Sequence, residues 1–175
     1  LKSNEWEVLI PSDHIQEGIR KLGAELTSIY AGKKIVVIPL LKGGFMFAAD
    51  LVRYMDVDLQ IEFLGAASYG EQTVSSGEVR LTLDTTLPLS GRDVLLVEDI
   101  VDTGLTLAYI QRLIKSRNPA SLRTVVLLDK KIRRKVDVEV NECIFSIPDR
   151  FVFGYGLDSP GGFDRNYSDI VALKE

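Results

Sequence analysis

Among its 175 residues the chain has a single cysteine, Cys143, and a single histidine, His14. One cysteine cannot close an internal disulfide, so the expected setting is a reducing one, the cytoplasm. One Cys and one His cannot supply the ligands of a tetrahedral zinc site. Cys143 lies in the apolar run Cys-Ile-Phe-Ser-Ile and reads as a small buried hydrophobe rather than a nucleophile. His14 stands beside Asp13 with no nucleophile near it in sequence and reads as a surface residue. The chain lacks Gly-x-x-x-x-Gly-Lys-Ser/Thr, which excludes a Walker phosphate loop. No secretory leader is visible, and no apolar run approaches the ~20 residues that span a bilayer, so no membrane role is expected. Positive charge is not in excess: 21 Lys and Arg face 25 Asp and Glu, a net charge of −4. Such a chain gets no help from its overall field in binding nucleic acid. It must hold any anion by local cations or backbone N–H groups.

What is present is ordinary for a globular protein, 46% hydrophobic and 26% charged, and the length suits one domain over residues 1–175. Ile15, Ile19, Leu22, Leu26 and Ile29 recur at helical spacing and predict a helix over 12–30, with Ser12 as its N-cap. Lys34–Leu41 is a continuous apolar run, the pattern of a strand buried on both faces in a parallel sheet. Lys42-Gly43-Gly44 turns the chain into a helix over Phe45–Tyr54. Asp58–Phe63 alternates like a half-exposed strand. Small and polar residues dominate Ser68–Val79, which is either a mobile lid or an inert hairpin connection. Strands are expected at Val79–Asp84, Asp93–Val97, Leu122–Leu128, Val136–Val140, Ile144–Ile147, Phe151–Gly154 and Ile170–Leu173, with a helix over Leu105–Ser116. Strands alternating with helices make an α/β fold with a mostly parallel central sheet flanked by helices. The N-terminal segment and the C-terminal part are expected to form a small cap on it.

The richest segment is Val94-Leu-Leu-Val-Glu-Asp-Ile-Val-Asp-Thr-Gly-Leu-Thr-Leu107. Glu98 and Asp99 follow four apolar strand residues, at the sheet edge where open α/β folds bind ligands. Adjacent carboxylates repel each other unless they meet hydroxyls or a cation. A vicinal diol supplies the first and Mg²⁺ the second. Asp102-Thr103-Gly104-Leu105-Thr106 then opens a helix, whose N–H groups and dipole favour a phosphate, with the hydroxyls of Thr103 and Thr106 at hand. A diol site and a phosphate cradle this close together suit a ribose 5-phosphate.

This segment resembles the phosphoribosyl-pyrophosphate (PRPP) motif of the type I phosphoribosyltransferases. Further motifs along nearly the whole chain resemble the hypoxanthine-guanine phosphoribosyltransferases of purine salvage. The resemblance implies the type I fold with its hood, Mg²⁺ as cofactor, and PRPP with a 6-oxopurine base, hypoxanthine or guanine, as substrates. It gives Glu98 and Asp99 the ribose hydroxyls and the metal, residues Asp102, Thr103, Gly104, Leu105 and Thr106 the 5′-phosphate, and Asp102 the further role of general base toward the purine. Leu41, Lys42 and Gly43 correspond to the pyrophosphate loop, in which the family often has a cis peptide. Ser68 and Tyr69 correspond to the start of the catalytic lid. Lys130, which by itself reads as a surface lysine in the basic run 130–135, corresponds to the donor to the purine O6. Phe151 corresponds to the residue that stacks on the base, and Val152 to the one offering backbone groups to its edge. Asp158 corresponds to a ligand of a second Mg²⁺. The family's arginine near the pyrophosphate falls here on Asp164, and one extra residue within Ser159–Gly162 would move that role to Arg165.

The resemblance also implies a homodimer or homotetramer. Two other readings compete. One is a PRPP-sensing regulatory protein that binds RNA or DNA, against which the acidic composition argues. The other is a phosphoribosyltransferase that prefers xanthine.

Overall fold

The computed structural model describes residues 5–68 and 79–174. Its elements in chain order are β1 (Trp6–Ile10), α1 (Ser12–Ile29), β2 (Lys34–Leu41), α2 (Gly44–Leu51), β3 (Asp58–Ile61), β4 (Leu64–Ser68), β5 (Val79–Leu83), β6 (Asp93–Val101), α3 (Leu105–Lys115), β7 (Ser121–Asp129), β8 (Glu142–Ser146), β9 (Val152–Phe153) and β10 (Ile170–Leu173). Short 3₁₀ turns follow α2 at Val52–Tyr54 and β7 at Lys131–Arg133. No helix among the described residues is long and apolar enough to cross a membrane.

The large sheet runs β5-β4-β2-β6-β7-β8, with β3 also on β2. Only the β4–β5 pair is antiparallel. This is the mostly parallel α/β sheet that the buried apolar runs predict. A small antiparallel sheet, β1-β10-β9, takes its strands from the two ends of the chain and makes the cap.

The side-chain period of two divides the core between the faces of the large sheet. Ile35, Val37, Leu95, Val97, Val125 and Leu127 face α1 and α2, where they meet Ile15, Ile19, Leu26 and Phe47. Val36, Ile38, Val94, Leu96 and Val126 face α3, where they meet Leu107, Ile110 and Ile114. The helices are therefore held by apolar stripes rather than by propensity.

Several local expectations are corrected. Ser12 is the first residue of α1 rather than its N-cap, which is Pro11. The Ser12 N–H is satisfied from far along the chain, by Asp169 Oδ1 at 2.7 Å. At the other end of the stripe Ile29 is exposed and Tyr30 is buried instead. Helix α2 stops at Leu51, and β4 is a strand that Leu64–Ser68, poor in β-branched residues, did not announce. Val136–Val140 forms no strand. Val138 and Val140 pack against the α3 side of the core, while Gln111 Nε2 donates to the Glu139 carbonyl at 2.6 Å. Its alternation thus records one-sided packing of an extended connection, not a ladder. Cys143, expected to be buried, is exposed on β8, the last strand of the sheet.

Phe47 is fully buried between α2 and the sheet, whereas Phe45 on the same helix is 40% exposed. Phe47→Ala is expected to lower the unfolding free energy by about 3–5 kcal/mol in urea titration, and Phe45→Ala by under about 1 kcal/mol.

Candidate active site

Strands β2 and β6 run side by side from Ile35–Asp93 to Pro39–Val97 and then part. β2 goes on to pair with β4 through Leu40 and Leu41. β6 continues to Val101 against β7, so the strand end expected at Val97 is corrected to Val101. The helices that follow these two strands lie on opposite faces, α2 with α1 and α3 across the sheet. A crevice therefore opens at the carboxyl ends where the winding reverses, the usual ligand position in open α/β sheets.

A cleft of about 250 Å³ sits there, and Leu41, Lys42, Gly43, Glu98, Asp99, Thr106, Asp158 and Arg165 line it. The acidic pair lies within the extended part of β6 rather than beyond its end. Both residues are buried, 6% and 9% exposed. Glu98 Oε1 accepts the Asp99 N–H at 3.2 Å, and Asp99 Oδ1 accepts the Ile100 N–H at 2.8 Å. Burial pushes the Glu98 carboxyl well above the usual carboxylate range, and the charge of Asp99 adds to this. Burial also raises Asp99, against the opposing pull of its hydrogen bonds and of Arg165.

The peptide Leu41–Lys42 is cis. It leads into Gly43, where any Cβ would collide with the Asp99 carboxylate. The carbonyl of Gly43 in turn leaves no room for a Cβ on Gly156, which has a φ of +97°. So two glycines let the loop after β2 and the segment after β9 close upon the acidic pair. Arg165 Nη2 lies 2.9 Å from Asp158 Oδ2, and its Nη1 donates to the Gly156 carbonyl at 2.6 Å. Asp164, the alternative position, has its carboxylate on the Ser159 hydroxyl at 2.6 Å. Of the two, Arg165 is the one that lines the cleft.

The loop after β6 turns through Gly104, whose φ of +84° makes it a left-handed cap for α3. Thr103 Oγ1 accepts the Leu105 N–H at 3.4 Å. The N-cap Gly104 has no side chain to offer, so beyond Leu105 the first amides of the helix remain available to an anion. Asp102 lies beside Arg133, whose Nε is 3.2 Å from Asp102 Oδ1. That contact lacks hydrogen-bond alignment, and the buried oxygen has no donor.

Lys130 follows β7 as Asp102 follows β6. It is 6% exposed, which corrects the surface reading of this residue taken alone. Burial lowers its pKa, and the charges of Asp102 and Asp149 oppose that shift. Val152 is buried in β9 and pairs with Ala172. Phe151 is 45% exposed, with its ring 6.5 Å from that of Trp6. Ser68 ends β4, and Tyr69 lies outside the described residues. No individual role for Arg133, Asp149 or Gly156 is legible in the sequence. The first belongs to a basic run that resembles a solvated surface, and the other two carry no local motif.

A family model, the phosphoribosyl transferase domain, matches residues 10–160. The chain belongs to the phosphoribosyltransferase family. It is 44% identical over 174 residues to the hypoxanthine-guanine phosphoribosyltransferase of Bacillus subtilis, covering 99% of this chain and 96% of that one. The solved hypoxanthine phosphoribosyltransferase of Staphylococcus aureus superposes with a TM-score of 0.91 at 44% identity, covering 96% of this chain and 91% of that one. The bifunctional TilS/HprT protein of Listeria monocytogenes is 47% identical over 168 residues, 96% of this chain but 26% of that longer protein.

The raised carboxyls of Glu98 and Asp99 fix the sign of a pH effect. The unfolded chain releases these protons at ordinary carboxylate pH, before the folded chain does, so stability falls as pH rises from about 4.5 through the raised native values. Glu98→Gln is expected to raise the melting temperature of the ligand-free protein at neutral pH, by about 2–4 °C per ~1 kcal/mol recovered, and to flatten its decline with pH. Parallel melting curves for the two proteins between pH 4.5 and 8 would contradict a buried, repelling pair.

Proposed function

We propose that this phosphoribosyltransferase transfers the 5-phosphoribosyl group of PRPP to N9 of hypoxanthine, and of guanine, giving IMP or GMP and pyrophosphate. The observation that carries the reading is the meeting, in one crevice, of the buried acidic pair, the pyrophosphate-type loop and the N-terminus of α3. The likeness over nearly full length to hypoxanthine(-guanine) phosphoribosyltransferases supports the same base. The working unit is a single domain over residues 1–175, in a cytoplasmic enzyme of purine salvage.

In this reading Glu98 and Asp99 accept hydrogen bonds from the ribose hydroxyls, and residues 102–106 hold the 5′-phosphate with amides and the hydroxyls of Thr103 and Thr106. Lys42, the amide of Gly43 and Arg165 hold the pyrophosphate and stabilise its charge as it leaves. Asp102 has a buried oxygen without a donor. It accepts the purine's ring proton as C1′ passes through a cation-like state. Lys130 donates to O6 and discriminates against an amino group there, since ammonium has no acceptor to offer. Phe151 stacks on the base and Val152 presents backbone to its edge. Ser68 and Tyr69 begin the lid that excludes water.

The carboxylate oxygens of Glu98, Asp99 and Asp158 are of the kind that Mg²⁺ takes, and they would hold it together with oxygens of the substrate. Among the described residues no group of three or more His, Cys, Asp or Glu forms a metal site. Two repelling carboxylates with Asp158 across the cleft suit a cation brought in on a polyphosphate. When bound it supplies positive charge to the pyrophosphate. The exposed apolar side chains of Phe45, Ile61 and Phe63, around a small apolar groove beside α2, favour a homodimer or homotetramer. A monomer in sedimentation velocity at micromolar concentration would remove that last point.

A spectrophotometric assay with PRPP, Mg²⁺ and each purine in turn tests the reaction. Hypoxanthine and guanine are expected to turn over and adenine to fail. Asp102→Ala is expected to lower kcat by ~10²–10⁴-fold while PRPP affinity falls much less. Equal losses in both would give Asp102 a structural role, and salt-dependent RNA or DNA binding without turnover would favour the regulatory reading.

A further inference from the structure

The loop given above to the 5′-phosphate contains no lysine or arginine, and its one charged residue, Asp102, is negative. Backbone amides and a helix dipole attract phosphate. Here, however, the anion must settle near Glu98, Asp99 and Asp102, so a cation close to the loop is needed to offset them. Arg133 pairs with Asp102 at the start of the loop, and a second cation, in no motif of the loop, stands nearer its glycine.

Arg134 packs against the loop from the connection after β7. Its Cδ and Nη1 lie 3.0 and 3.4 Å from the position that a Cβ on Gly104 would occupy. The side chain is 19% exposed, and Nη2 pairs with the carboxylate of Asp129, itself 4% exposed. Nη1 is buried and has no acceptor among the described residues. The backbone beside it is fixed to the loop as well, with the Lys135 N–H donating to the Thr103 carbonyl at 2.9 Å. Asp129 thus takes one arm of the guanidinium and leaves the other arm, with an unused N–H, at the glycine of the loop. A buried donor without a partner is destabilising in the ligand-free chain. Held against the Gly104 turn, its charge acts on an anion in the loop through the backbone of that turn.

We propose that Arg134, oriented by Asp129, is the fixed cation of the 5′-phosphate subsite, a positioning residue that acts through the Gly104 turn. The proposal rests on the phosphoribosyl-transfer reading of the site. A lysine serves the role poorly, because an ammonium group cannot hold Asp129 and face the loop with the same rigid fork.

Calorimetric titration with IMP and with inosine, which lacks the phosphate, separates the proposal from the reading on which it rests. A wild-type protein that binds both equally would remove the 5′-phosphate site itself. With a wild-type preference for IMP, Arg134→Met is expected to weaken IMP about tenfold and to leave inosine unchanged. The KM for PRPP should rise to a similar extent, with that for hypoxanthine unaltered. The double variant Asp129→Asn/Arg134→Met removes the buried carboxylate that the single variant leaves unpaired. It is expected to recover melting temperature but not IMP affinity, and Arg134→Lys to recover part of that affinity. A double variant that binds IMP like the wild type, or equal weakening of IMP and inosine, would overturn the proposal.

Discussion

The carboxylates of Glu98 and Asp99 leave water side by side, in a stretch of β6 that would otherwise be core. Burial acts against both charges, and the charge of Asp99 acts further against that of Glu98. Arg165 reaches toward Asp99 but spends its own bonds on Asp158 and the Gly156 carbonyl. Such a pair lowers the stability of the empty protein and raises its affinity for whatever brings donors or positive charge. The neighbouring elements are arranged to keep it there. Gly43 and Gly156 let two backbone segments approach, and a methyl group at either position would displace them.

The crevice follows from the parting of two strands. β2 and β6 share a ladder as far as Val97, and there β2 turns toward β4 while β6 follows β7. Because α2 and α3 cover opposite faces, their preceding loops leave the sheet in opposite directions. The cis-peptide loop after β2 and the Gly104 loop after β6 thus face each other across the gap that the sheet's own winding leaves open. The apolar alternation that divides the core between two helical layers also sets the two loops apart, so fold and site share one cause.

The sequence made much of this legible, and its failures have physical reasons. Lys34–Leu41 and Asp93–Val97 are apolar on both faces, which only a covered parallel sheet explains. The glycine-bearing loops after them have few other uses. The extension of β6 to Val101 was hidden because buried carboxylates look like a strand's end. β4 was hidden because Gly65, Ala66 and Ala67 have low strand propensity and depend on pairing with β5. Val136–Val140 misled in the other direction, since one-sided packing on α3 imitates a strand's alternation. Lys130 and Arg134 were obscured alike by the basic run 130–135. Charge in a row reads as surface, and only tertiary contact shows which members turn inward.

The register of β6 against β7 ties the two halves of the site together. Val101 pairs with Asp129, and the Lys130 N–H donates to the Val101 carbonyl at 2.9 Å. Asp102 and Lys130 are therefore the first residues beyond two adjacent strands, side by side because the ladder ends level. A slip of one residue would set Asp129 where Lys130 stands and would reverse the faces of Val125–Leu128, which the two core layers forbid. It would also carry Arg134 away from Gly104. Packing between the sheet and its helices thus holds the Asp102 carboxylate, the Lys130 ammonium and the Arg134 guanidinium at fixed spacing. That rigidity lets an acidic chain gather local positive charge at one sheet edge without any basic excess overall.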